Sequence, residues 1–145
     1  MMTNARITEC IAYGAFLAPS VQAIGTQATA GAVLDYGRKR VYTLMTGTPG
    51  AGGTATLKVQ ASVDGSTNWT DIPGGATAAL AAPGIAQVEL QADRVKGLGL
   101  GEFVRAVVTV AAATVPTALL VEAGDMRYFP ASDFNATGVA PAVLI

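Results

Sequence analysis

The longest regular pattern in the chain starts at Thr54, where Ala55, Leu57, Val59, Ala61 and Val63 alternate with Thr56, Lys58, Gln60, Ser62 and Asp64. A period of two sends the apolar set to one face, as a half-buried strand requires. Asp64-Gly65-Ser66-Thr67-Asn68 follows, a run of turn formers in which Gly65 can take positive φ cheaply. Residues 69–72 then return as the second strand of a hairpin, stopped by Pro73-Gly74-Gly75. Four more strands are expected. Residues 41–46 are β-branched and aromatic. Residues 85–90 set Ala86, Val88 and Leu90 against Gln87 and Glu89. Residues 103–110 put Val104, Ala106, Val108 and Val110 on one face, with Arg105 and Thr109 on the other. Residues 117–122, apolar almost throughout, read as a buried or interface strand. Short strands at this spacing, punctuated by Gly and Pro, predict an all-β antiparallel sandwich or barrel. Its core would include Leu57, Val59, Val63, Trp69, Val104 and Val108.

The ends lack this regularity. Residues 1–33 and 123–145 show no clean period, yet are too apolar for solvated tails. Either both fold back onto the sandwich, or they are arms lying on neighbouring subunits. The division adopted is an N-terminal arm over 1–33, a sandwich over 34–122 and a C-terminal arm over 123–145. Tyr128, Phe129, Val143, Leu144 and Ile145 are the candidate contact residues of the last.

Composition narrows the function. Of 145 residues, 51% are hydrophobic and only 13% charged, about half the usual ~25%. Such a chain is expected to fold and not to be disordered. Nine basic and ten acidic residues leave a net charge of −1, which predicts neither nucleic acid nor an anionic membrane as partner. The uncharged stretch 11–34 is interrupted by Gly14, Pro19, Ser20 and Gln22, and 106–121 is too short for a span, so no membrane segment is expected. Glu9 and Gly14 break any signal-peptide core after Arg6.

Histidine is absent, which removes the commonest general base and zinc ligand and every Ser-His or Cys-His dyad. Cys10 is the sole cysteine, so no intrachain disulfide can form, and it reads as a small apolar residue. Asp71, Glu89, Asp93, Glu102 and Asp125 are scattered, without a spacing that fixes a shared geometry. No enzyme, cofactor or metal is expected.

Three motifs are tempting. The stretch 47–54 is rich in glycine, but it has no Lys before Thr54 and leads into a strand, so it reads as a hairpin loop and not a phosphate cradle. Gly97, Gly99 and Gly101 lack the βαβ context of a dinucleotide site and read as a flexible connection. Asp64, Ser66 and Asn68 mimic half a calcium loop without the acidic residue that would close it. Arg38-Lys39-Arg40 is the one charge run, either a solvated turn or a dock for an acidic partner. Trp69 reads as a plug at one end of the core. It also belongs, with Tyr42 and Tyr13, to an alternative reading as a carbohydrate platform.

The run from Ala55 to Ile72, with its Asp64-Gly65-Ser66-Thr67-Asn68-Trp69 turn, resembles a segment of small virion proteins of tailed bacteriophages. The order of Asp35, the hairpin and Phe103-Val104-Arg105 is similar to capsid cement (decoration) proteins of short-tailed phages, over roughly residues 25–122. The resemblance implies a jelly-roll-like sandwich on the outer surface of the virion head. It would bridge major capsid proteins and associate with itself as a homodimer or homotrimer. A tail, connector or fibre-associated virion protein shares the same features.

Overall fold

The alternation from Thr54 becomes a strand whose Ala55, Leu57, Val59 and Ala61 are all buried, while Thr54, Thr56, Lys58 and Gln60 stay half-exposed. The computed structural model describes residues 12–34 and 37–126. Among them are nine strands and one short helix: β1 (Ala12–Gln22), β2 (Gly25–Ala28), β3 (Ala32–Val33), β4 (Gly37–Thr46), β5 (Thr54–Ser62), β6 (Thr70–Ala76), β7 (Gly84–Gln91), α1 (Ala92–Gly97), β8 (Phe103–Ala111) and β9 (Val115–Met126).

Two antiparallel sheets face each other. One has the order β1-β9-β4-β7 and the other β2-β8-β5-β6, with β3 added against β8. Each sheet holds strands remote in sequence, and the chain crosses between sheets after β1, β3, β4, β6, α1 and β8. This is the eight-stranded, double-Greek-key order of a jelly roll, with β3 as an extra piece. The core between the sheets is built by alternation on every long strand. Tyr42 and Leu44 come from β4, Leu57 and Val59 from β5, Val88 and Leu90 from β7, Val104 and Val108 from β8, and Leu119 and Val121 from β9. Fully burying each such aliphatic side chain contributes roughly 1.5–3 kcal/mol.

Several expectations are corrected. Residues 12–33 form no arm: β1 lies beside β9, and β2 and β3 beside β8, so the sandwich begins by Ala12 and runs to Met126. Their periodicity was hidden because β1 slips register between Tyr13 and Ala15 and between Leu17 and Ser20, while β2 is an edge strand exposed at all four positions. The stretch 47–54 joins strands of different sheets and is a crossover, not a hairpin. The β6 strand continues through Pro73-Gly74-Gly75, tolerated because β6 is an edge. Helix α1 went unpredicted. Six residues are too few for a 3.6 period to show, and it is held by burial of Ala92 and Val95.

Val63 is the one assigned core aliphatic that is not buried, being 75% exposed. The alternation of β5 breaks one residue early. Ala61 and Ser62 are both buried, because the Ser62 hydroxyl turns inward to organise the next loop, and Val63 is thereby thrown outward. Trp69 is half-buried and lies outside the core cluster.

Candidate functional site

The turn after β5 uses up its polar groups internally. The Asp64 carboxylate accepts hydrogen bonds from the Ser66 and Thr67 backbone N–H groups at 2.9 and 2.8 Å and from the hydroxyls of Thr67 and Ser62. These donors, the Thr67 hydroxyl foremost, hold its pKa well below the usual carboxylate range. Oxygens so occupied close a turn, and the half calcium loop is spent on it. Gly65 (φ +72°) and Asn68 (φ 51°) take the left-handed conformations that the turn needs.

From this turn a chain of polar contacts crosses the outer face of the β2-β8-β5-β6 sheet. Lys58 pairs with Asp71 at 3.0 Å, and the Gln60 amide donates to the other Asp71 oxygen at 2.6 Å. Arg105 donates to the Gln60 carbonyl from Nε and Nη2 at 3.0 and 2.8 Å, and its guanidinium stacks 4.3 Å from the Trp69 ring centre. The Gln60 and Lys58 contacts lower the Asp71 pKa. Trp69 is thus a lid on Arg105, and the backbone at Gly31 abuts its ring edge. That corrects the core-plug assignment: residues in phase with Arg105 face outward, and Trp69 follows them. Further along this face Thr26 meets Thr109 at 3.3 Å. The surface is polar and internally paired.

The basic run is not one patch. Lys39 is exposed, but Arg40 is 1% exposed and donates from Nη2 to the Val33 carbonyl. Alternation explains it, because Arg40 is in phase with Tyr42 and Leu44 on the inner face of β4. The Arg38 side chain lies outside the described residues, as do Tyr128, Phe129, Val143, Leu144 and Ile145. Arg94 lines a separate cleft of about 260 Å3 between β6, β7 and α1, together with Ile72, Glu89 and Leu98. Tyr42 is 2% exposed beside Arg40, and burial raises its phenol pKa while Arg40 pulls the other way. It cannot serve as a sugar platform. The Tyr13 side chain is outside the described residues.

The outer face of the β1-β9-β4-β7 sheet is divided. Toward its Gly37 end it carries Lys39, Glu89 and Glu122, which register in adjacent rows. Toward the other end, Ala118, Met45 and Ile85 form one cross-strand row, and Val21 lies opposite Pro116. Val21 is 67%, Met45 38% and Ile85 67% exposed, with Ile24 at 64% in the β1–β2 turn. Pro19, Met45, Pro116 and Ala118 line a groove of about 240 Å3 there. No charged side chain sits in this half among the described residues. Sequence reading missed the patch, although its signal was present. Ile85 falls in phase with Gln87 and Glu89, opposite to Val88 and Leu90, so one parity of that strand had to show an isoleucine to solvent.

No family model matches the chain, and neither does any curated protein. Solved structures do resemble it. A chain from the infectious bursal disease virus Gt strain matches 84% of this chain at 9% identity and TM-score 0.46. One from the Gx strain matches 84% at 10% identity and TM-score 0.45. A chain from naturally occurring empty particles of cowpea mosaic virus, its top component, matches 94% at 9% identity and TM-score 0.37, covering 89% of that chain. The present chain spans about a third, 34% and 33%, of the length of the two bursal disease virus chains. None of the three comes from a bacteriophage.

Proposed function

We propose that the protein is a structural component of a virion, a cement or decoration protein on the outer surface of a phage head. There it would bridge major capsid proteins and associate with itself as a dimer or trimer. The observation that carries the reading is the division of surface. One outer sheet face is polar and paired within itself, while half of the other is apolar and uncharged, the mark of a surface that meets protein. The jelly-roll order is one that capsid domains use, as lectin domains also do, so fold alone does not decide function. The likeness of the Asp64–Trp69 hairpin to phage virion proteins adds to the reading.

The mechanism is area. About 1,000 Å2 of apolar contact per copy corresponds to roughly 25 kcal/mol gross. Association and ordering take back about 4–15 kcal/mol or more. Many copies on one shell would sum the remainder against the pressure of packaged DNA.

The test is co-sedimentation of the full chain with purified heads of the phage that encodes it, alongside its solution mass by light scattering. A dimer or trimer that pellets with shells supports the reading, and a monomer that stays in the supernatant overturns it. Deleting residues 128–145 is expected to weaken shell binding with the far-ultraviolet circular dichroism intact. Undiminished binding would remove the C-terminal arm from the proposal. Electron microscopy of labelled particles separates a head position from a tail, connector or fibre position.

A further inference from the structure

We infer that the apolar groove on the β1-β9-β4-β7 sheet is the docking site of the chain's own C-terminal segment, residues 139–145. The inference deepens the reading above and rests on this half-face being a protein contact surface. Three observations carry it.

The first is how the groove is made. Between Leu17 and Ser20 the β1–β9 register slips, and Pro19, at that irregularity, lines the groove together with Met45, Pro116 and Ala118. The groove is open to solvent along its length and about 240 Å3 in volume. The lining carries no charged side chain and offers mostly aliphatic carbon, so it suits an occupant with aliphatic side chains, whose Ile145 carboxylate would stay in solvent.

The second is composition. Residues 134–145 carry no charged side chain, and Val139, Val143, Leu144 and Ile145 supply the aliphatic bulk. The other terminal stretch beyond the described residues, 1–11, carries Arg6 and Glu9. Pro141 biases Ala140 toward extended backbone, the shape that lies along a sheet face.

The third is reach. Strand β9 ends at Met126, eight residues beyond Ala118 and so about 27 Å from the groove at ~3.4 Å per residue. Residues 127–138 can span up to about 40 Å. The segment therefore reaches the groove of its own copy or of one alongside, and the second route would link copies arm to sheet.

The experiment pairs Met45→Cys with Leu144→Cys in a full-length Cys10→Ser chain, without shells, under mild oxidation. A matched chain carries Thr70→Cys, exposed on β6 of the other sheet, with Leu144→Cys. Disulfide formation at least tenfold faster for the Met45 pair supports docking. An intrachain product identifies the same copy and a dimer band identifies a neighbour. Equal rates overturn the inference.

Amide hydrogen exchange on the unaltered chain gives an independent answer, should the cysteine variants not fold. Residues 139–145 are expected to exchange at least tenfold more slowly than the same free peptide, and Ile85→Lys, at the rim, is expected to abolish that protection. Free-peptide rates in the unaltered chain overturn the inference. Shell sedimentation tests the virion reading separately, so the two failures are distinguishable.

Discussion

Replacing Gly101 by alanine is expected to be the most damaging single-methyl change in the stretch between α1 and β8, and its neighbours Gly97 and Gly99 act as internal controls. At Gly97, the last residue of α1, φ is ordinary and nothing lies within 4 Å of an added Cβ. Gly97→Ala is therefore expected to be neutral or to stabilise by up to about 1 kcal/mol through helix propensity. Gly99 also has open space, but its φ is +68°. An alanine there bears only the left-handed penalty, about 1–2 kcal/mol. Gly101 has φ +108°, and its Cβ would sit 2.2 Å from the Ser62 carbonyl oxygen and 2.6 Å from the Val63 nitrogen. Those are backbone atoms at the end of β5, so relief requires moving a strand end that also organises the Asp64 turn. Conformational strain of about 1–3 kcal/mol plus displacement of that backbone gives an expected loss of about 3–5 kcal/mol. At roughly 3 °C per kcal/mol for a chain of this size, Tm falls by about 10–15 °C. Calorimetry of the three variants in one buffer measures the order directly. A Gly101→Ala chain no less stable than Gly99→Ala would refute the reasoning, because the clash with the Ser62–Val63 backbone would then cost nothing.

Other outcomes follow from the same geometry. Leu57→Ala, at a fully buried position, is expected to cost about 2–5 kcal/mol in urea unfolding, whereas Val63→Ser, mostly exposed, should stay within about 0.5 kcal/mol. Asp64 and Asp71 have pKa values lowered by folding, so the stabilisation they give is complete above the ordinary ~3.9 and is lost as pH falls below it. The urea midpoint is thus expected to fall between about pH 4 and pH 2, and Asp64→Asn should flatten that limb; an unchanged limb would count against the turn as its source. Arg105→Ala removes the cation over the single tryptophan and two hydrogen bonds to Gln60, which should red-shift Trp69 emission and cost about 1 kcal/mol. An unshifted spectrum would mean that Trp69 does not depend on Arg105 for its cover.

What could be read from residues alone was set by alternation. The β5–β6 hairpin, β4, β7, β8 and β9 all show an alternating apolar parity, cleanest as the Val, Leu and Ala of β5, β7 and β8, and all lie within a few residues of the expected ends. The strands that escaped are those where parity is broken or irrelevant: bulged β1, and β2 as an exposed edge. The charge of Arg40 points to solvent but its phase does not: two before Tyr42, it falls on the inner side of β4. Trp69 is the opposite case: its bulk points to the core, while its place just beyond the turn sets it over Arg105 on the outer face. The apolar half-face went unnoticed because no single residue reveals it. Met45, Ile85, Pro116 and Val21 come from four strands and become neighbours only through the register of the sheet.

The order β1-β9-β4-β7 also has a consequence for how the protein is made. The last described strand occupies an interior place between the first and the fourth, so among the described residues β1 has no lateral partner until β9 arrives about a hundred residues later. β2 likewise waits for β8. During synthesis β1 and β2 must wait with apolar sides showing, and each sheet can close only once β8 and β9 have been made. Topologies of this non-local kind fold in milliseconds to seconds. The nascent chain is therefore expected to be a client of ribosome-associated chaperones, and truncation before β9 should yield aggregate and not a smaller sandwich.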